Sequence, residues 1–135
     1  MKENHLRQEI IDMCRHMNAI GLNQGTAGNI SARHKDVMLI TPSAIPYAQM
    51  KPEMIASMPL DRSDGHYNGP LKPSVEWRFH LDILKSRRDV NAVVELMAAG
   101  GGVGERGDQG LVTLVSRLVR ALDEDGLRAD DVGVA

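Results

Sequence analysis

The chain has 135 residues, which is enough for one compact domain and too few for two. Its net charge of −2 and pI of about 6.2 supply no basic surface for a polyanion, so we expect no nucleic-acid partner. No apolar run reaches the length of a membrane span, and the N-terminus lacks the apolar core of a signal peptide. The single Cys14 excludes an intrachain disulfide and is typical of a reducing cytoplasm.

Helix and strand patterns alternate in the first part of the chain. Apolar residues at helical spacing predict an amphipathic helix, and short apolar runs between turn residues predict strands. In chain order these are a helix over 4–20, strands over 29–33 and 37–41, a short helix from Pro52 and a strand over 56–60.

The second part continues this mixed α/β pattern. Ser74 is a residue type that favours the N-cap, which predicts a helix from there to about Arg87. Residues 89–94 are predicted to form a buried strand. Leucines and valines between 111 and 122 recur at helical spacing, which predicts one more amphipathic helix, ended by Gly126.

Composition changes abruptly at residue 94. Residues 1–94 hold all five His, all five Lys and all six Pro, whereas residues 95–135 hold none of these but eight of the thirteen Gly. A stretch of this length is too short for an independent core. We therefore expect a domain over 1–94 and a Gly-rich tail of different origin over 95–135, although chance and a Gly-rich connector would give the same pattern.

Three segments, 25–31, 39–47 and 72–80, combine small residues, hydroxyls and turn formers. The first places Gly28 before Asn29; glycine lets the backbone approach a ligand closely, and the Asn amide can donate to an anion. The second pairs the hydroxyls of Thr41 and Ser43 with rigidifying prolines. Taken singly, each of these two segments is better explained as an ordinary turn.

The third segment carries the clearest chemistry. A helix that begins at Ser74 would present free backbone N–H groups and the positive end of its dipole to an anion. Glu76 would then lie in the first turn, as an acid or base beside the anion or simply as a surface residue that compensates the dipole. His80, four residues on, could share a face with Glu76, but an isolated helical His is more often structural.

In this order and spacing, the three segments resemble the class II aldolase/adducin family, most closely its branch of L-fuculose-phosphate aldolases and L-ribulose-phosphate 4-epimerases. The resemblance covers residues 5–94. It implies a three-layer α/β/α sandwich around a mainly antiparallel sheet, incomplete in this chain, and a homotetramer with sites at subunit interfaces. It also implies a ketose phosphate such as L-fuculose 1-phosphate as substrate, and leaves retro-aldol cleavage and epimerisation both open.

The resemblance also assigns roles to individual residues. It makes Glu76 the catalytic acid/base, working with a zinc ion that three His ligands hold and that stabilises the enediolate. The residues that it implies for binding the substrate phosphate are Gly28, Asn29, Ser43, Ala44, Ser74 and Val75.

This chain departs from the family where the metal should bind. The family's strand runs into a His-x-His pair at the positions of Glu95 and Met97, and no His follows His80. We therefore expect zinc not to bind this chain and the chain to be inactive. A Gly usual in the family is Ala44, and a Ser is Val75. Because the mismatch begins abruptly, it predicts a frameshift, a truncation or a gene fusion. A His-x-His sequence encoded after Val94 in another reading frame would support this prediction.

Two other functions compete with this interpretation. The same fold without its metal could serve as a non-catalytic interaction module, as in the adducin head domain; zinc content and ketose-phosphate cleavage distinguish the two. A small nucleotide-binding protein is the third possibility, because residues 102–107 match the Gly-x-Gly-x-x-Gly fingerprint. Protection from thermal unfolding by NAD or ATP would favour it.

Overall fold

The computed structural model of the chain describes residues 2–21, 28–97, 111–116 and 132–134. The predicted elements of the first 94 residues are present, with boundaries shifted by one to three residues. The helices and strands of the described residues are α1 (Glu3–Ala19), β1 (Asn29–His34), β2 (Val37–Ile40), short 3₁₀ helices at Tyr47–Gln49 and Pro52–Met54, β3 (Ala56–Pro59), α2 (Trp77–Ser86), β4 (Ala92–Met97), β5 (Leu111–Ser116) and β6 (Val132–Val134).

The strands form one antiparallel sheet in the order β3-β2-β1-β4-β5-β6. β1 lies between β2 and β4, with Ser31 opposite Ile40 on one side and Asn29 opposite Glu95 on the other. Strand β1 is thus an inner strand of the sheet. Its pairing with β4 brings Asn29 next to Glu95, which is distant in sequence.

Side-chain alternation divides the core into two layers, one on each face of the sheet. On β1, Ile30 and Ala32 belong to the layer covered by α1, and on β4 Val93 belongs to the layer covered by α2. Each fully buried Leu or Ile contributes about 1.5–3 kcal/mol of transfer free energy. One helix on each face of an antiparallel sheet confirms the predicted three-layer α/β/α sandwich.

Two arginines of α1 hold the irregular chain that follows β2. Arg15 donates to the carbonyl oxygens of Tyr47 (3.0 Å) and Met50 (3.0 Å), and Arg7 donates to that of Pro52 (3.1 Å). Carbonyl groups that lack partners in helix or sheet are satisfied in this way, which fixes the loop against α1.

The predicted helix over 111–122 is wrong for 111–116, which form strand β5. Val112, Thr113 and Val115 are β-branched and favour strands, and a short apolar run fits both periodicities. Residues 117–126 and the glycine fingerprint at 102–107 lie outside the described residues. β4 continues past residue 94 and pairs with β5, so the compositional boundary falls inside a strand.

Neither helix in the described part of the chain has both the length and the apolar character needed to cross a membrane.

Candidate functional site

The first and second motif segments meet at one end of the sheet. β1 begins at Asn29 and its antiparallel neighbour β2 ends at Ile40, so the residues flanking them lie together. Thr41 locks this junction: its N–H donates to the carbonyl of Ile30 (3.0 Å), and its hydroxyl accepts from the N–H of Ile30 (3.2 Å). The hydroxyl of Thr41 is therefore used within the fold.

The second and third segments are joined by a short antiparallel bridge between Pro42 and Pro73. Ser43 N–H donates to the carbonyl of Lys72 (3.0 Å), and Ser74 N–H donates to that of Thr41 (2.9 Å). This bridge places Ser43 and Ser74 on neighbouring strands of chain, although they are far apart in sequence.

Tyr47 connects the first segment to the second. Its buried hydroxyl donates to the carbonyl oxygen of Gly28 and so fixes the backbone just before Asn29. Tyr47 was not among the predicted site residues, although a Tyr within a motif of small residues is a signal for a hydrogen bond of this kind. Gly25, Thr26 and Ala27 lie outside the described residues.

The prediction that Ser74 is the N-cap of α2 is wrong. The helix begins at Trp77 with Glu76 at the N-cap position, and Ser74 opens the turn before it. Trp77 N–H donates to the Ser74 carbonyl (3.1 Å), and the Ser74 hydroxyl accepts from the Glu76 N–H (3.3 Å). A serine that caps a tight turn looks the same in sequence as one that caps a helix, because both satisfy an N–H two residues on.

The three residues of this turn differ in their exposure to solvent. Ser74 is buried, whereas Glu76 is exposed and Val75 has 79% of its surface exposed. Glu76 is therefore open to solvent and lies two residues after Ser74, close to the Pro42–Pro73 bridge. His80 lies one helical turn after Glu76, with its N–H donating to the Glu76 carbonyl (3.3 Å), but its side chain is fully buried, in keeping with the structural interpretation.

Ala44 adopts a left-handed backbone conformation with φ of 58°. This explains why glycine suits the position, since a Cβ there costs roughly 1–2 kcal/mol.

We expect Ala44→Gly to stabilise the fold by about 0.5–1 kcal/mol, since relief of the left-handed strain exceeds the added entropy of the unfolded chain. Urea denaturation measures it. The matched control is Ala48→Gly, an exposed site in a 3₁₀ helix outside the left-handed region, which should instead destabilise the fold. Equal effects of the two substitutions would contradict the prediction.

Behind the bridge lies a buried polar cluster that the sequence analysis missed. Its centre is His80, whose Nδ1 lies 2.6 Å from the hydroxyl of Ser31 and whose Nε2 bonds the side-chain oxygen of Asn29. An oxygen of Glu95 lies 3.9 Å from Nε2. All four side chains are buried, and burial lowers the pKa of His80 to about 3, so its ring is neutral.

The resemblance places two metal ligands at Glu95 and Met97, and of these residue types only glutamate is a common zinc ligand. Glu95 is buried in the polar cluster beside His80, and Asn29 and Ser31 are the other polar members. Within the described residues, no three His, Cys, Asp or Glu side chains come together as a metal site requires.

Comparison with known proteins identifies the fold. The family model for the Class II Aldolase and Adducin N-terminal domain matches residues 8–95. L-fuculose phosphate aldolase of Escherichia coli (strain K12) is 50% identical over 94 residues, which are 70% of this chain and 42% of that protein. The 5-methylthioribulose-1-phosphate/5-deoxyribulose-1-phosphate aldolase of Rhodospirillum rubrum is 50% identical over 93 residues, 69% of this chain and 41% of that protein.

Solved structures of aldolases have a similar fold. An L-fuculose 1-phosphate aldolase superposes with a TM-score of 0.65 at 30% identity, covering 70% of this chain and 44% of the other. The l-fuculose-1-phosphate aldolase of Thermus thermophilus gives a TM-score of 0.58 at 30% identity, covering 70% and 47%.

The antiparallel sheet between two helices, with three motifs joined at one end, defines an aldolase-type α/β domain. The chain belongs to the class II aldolase/adducin family. It spans less than half the length of the curated relatives that it matches.

Proposed function

We propose that this chain carries the phosphate-recognition part of a cytoplasmic class II aldolase that acts on a ketose phosphate such as L-fuculose 1-phosphate. The observation that supports this most is the Pro42–Pro73 bridge, because it joins two of the three motif segments whose residue types suit an anion. The names of the similar proteins, which are aldolases of sugar phosphates, point to the same substrate class.

The proposed phosphate ligands lie around this bridge. Asn29 offers an amide and Ser43 and Ser74 offer hydroxyls, while Gly28, Ala44 and Val75 contribute backbone N–H groups. A phosphate held this way supplies binding energy remote from the bond that breaks and positions the sugar for reaction. Each hydrogen bond to the charged phosphate is worth about 1.5–3 kcal/mol.

Glu76 is proposed as the acid/base. It is exposed to solvent two residues after Ser74, where a carboxylate can exchange a proton with a bound sugar. Because Glu95 and Met97 occupy the family's ligand positions, we propose that the chain as written binds sugar phosphate without cleaving it.

We expect Ser74→Ala to weaken binding of L-fuculose 1-phosphate by about tenfold to a hundredfold, as the loss of one hydrogen bond to a charged group predicts. Phosphorus NMR titration of the sugar phosphate measures the affinity. Ser86→Ala, at the opposite end of α2, is the matched control and should bind as the unmodified chain does.

The same samples test the rest of the proposal. Glu76→Gln should bind the sugar phosphate at least as tightly, because it removes a negative charge near the phosphate without removing a ligand. Cleavage of L-fuculose 1-phosphate, assayed with and without added zinc, should be undetectable. Equal binding by Ser74→Ala and Ser86→Ala would contradict the phosphate site, and turnover by the chain would contradict its proposed inactivity.

A second candidate is a non-catalytic interaction module on the same fold. It is favoured by the exposed apolar side chains of Val75 and Phe79 beside the candidate site. Assembly of the chain without any binding of sugar phosphate would favour this function over the first. A family homotetramer would cover the same surface.

A further inference from the structure

The described contacts fix the side-chain orientation of Asn29, one of the proposed phosphate ligands. Its carboxamide oxygen bonds Nε2 of His80, and the two residues are separated by 51 positions in sequence. Asn29 is 5% exposed and His80 is fully buried, so neither side chain can exchange this contact for water without opening the core. The position of the proton on the His80 ring therefore determines whether Asn29 can turn its amide oxygen or its amide nitrogen toward a ligand.

The contacts of the ring select one tautomer. A neutral imidazole carries one proton, so one nitrogen donates and the other accepts. The Asn29 oxygen can only accept, which requires the proton on Nε2. Nδ1 must then accept, and the Ser31 hydroxyl, 2.6 Å away, can donate to it. A Glu95 oxygen, which can accept a hydrogen bond but not donate one when the carboxyl group is ionised, lies 3.9 Å from Nε2 on the same side of the ring.

The opposite arrangement would reverse the chemistry of the site. With the proton on Nδ1, the ring would donate to Ser31 and accept from the Asn29 amide nitrogen. Asn29 would then turn its carbonyl oxygen toward a ligand, and a phosphate would meet an acceptor instead of a donor. The observed arrangement commits the oxygen to His80 and leaves the two amide N–H groups for another acceptor.

We propose that His80 is a positioning residue: through an Nε2–H bond supported by Ser31 and Glu95, it holds the Asn29 amide with its nitrogen available to the substrate phosphate. This inference rests on the proposed phosphate site and deepens it. His80 touches no substrate itself, so its effect on affinity must pass entirely through Asn29.

Two substitutions of His80 distinguish a role in positioning Asn29 from a role in merely filling space in the core. Gln places its amide nitrogen the same number of bonds from the backbone as Nε2 and can still donate to Asn29, whereas Leu cannot. Binding of L-fuculose 1-phosphate, followed by phosphorus NMR, should weaken at least tenfold in His80→Leu and stay within about threefold in His80→Gln. Equal weakening in both variants would overturn the inference.

A double-mutant cycle with Asn29→Leu tests whether His80 changes the affinity for sugar phosphate through Asn29. If His80 acts through Asn29, His80→Leu should cause no further loss of affinity in the Asn29→Leu background. An additive loss would show a general structural role and overturn the inference. Nitrogen-15 NMR of the ring is the measurement that needs no variant: Nε2 should be protonated and Nδ1 unprotonated, and the reverse would also overturn it.

Failure of this inference can be told apart from failure of the proposed function. If the unmodified chain does not bind the sugar phosphate, the phosphate site is wrong and the positioning role falls with it. If the unmodified chain binds and His80→Leu binds equally well while folded, only the positioning role is wrong.

Discussion

Lowering the pH from 7 to 5 is expected to cost the folded chain about 2 kcal/mol of stability through His80 alone. Burial lowers the pKa of His80 from 6.5 to about 3, so the unfolded chain takes up a proton that the folded chain excludes. A group with a depressed pKa in the folded state contributes stability that is complete above pH 6.5 and is lost progressively as the pH falls toward 3. Urea denaturation at the two pH values measures the change.

Matched substitutions assign the effect to this residue. His80→Gln cannot titrate and should show a flatter dependence of stability on pH, whereas His66→Gln, at an exposed loop position, should keep the dependence of the unmodified chain. The acidic group that faces the ring is Glu95, at 3.9 Å from Nε2. If this carboxyl group held His80 charged in the folded state, stability would not fall between pH 7 and 5, and the prediction would fail.

Local sequence patterns were enough to predict most of the fold up to residue 94. Helical spacing of apolar residues in α1 and the polar turn between β1 and β2 are local features, and both predictions were confirmed within a residue or two. The error at 111–116 has a physical cause: a short segment with four apolar residues in six fits helix and strand alike, and pairing with β4 makes it a strand. Pairing partners are not encoded in the run itself.

The candidate site was predictable as a set of segments but not as a set of contacts. Co-occurrence of the three motifs indicated that they belong together, whereas the Pro42–Pro73 bridge depends on how the chain turns after β2. The buried cluster needs the register that places Asn29 opposite Glu95, and the docking of α2 that brings His80 onto them. Such contacts span about fifty residues, and no local pattern specifies them.

Leu84→Ala should destabilise the fold by about 2–5 kcal/mol, a large share of the 5–15 kcal/mol typical of a domain. Leu84 is fully buried between α2 and the sheet, where it packs in the same cluster as Met38, Ile40 and Val93. Truncation leaves a cavity that the surrounding sheet cannot close, because β1, β2 and β4 are held by their ladders. Urea denaturation at pH 7 measures the loss.

Phe79→Ala is the matched control in the same helix, because Phe79 has 42% of its surface exposed and should cost less than about 1 kcal/mol. If Phe79→Ala cost as much as Leu84→Ala, Phe79 would have to be buried by something outside a single chain. Sedimentation would then show whether a second copy covers it, and dilution should remove the excess cost. A loss for Leu84→Ala below that of Phe79→Ala would contradict the placement of α2 against the sheet, and with it the placement of His80 behind Asn29.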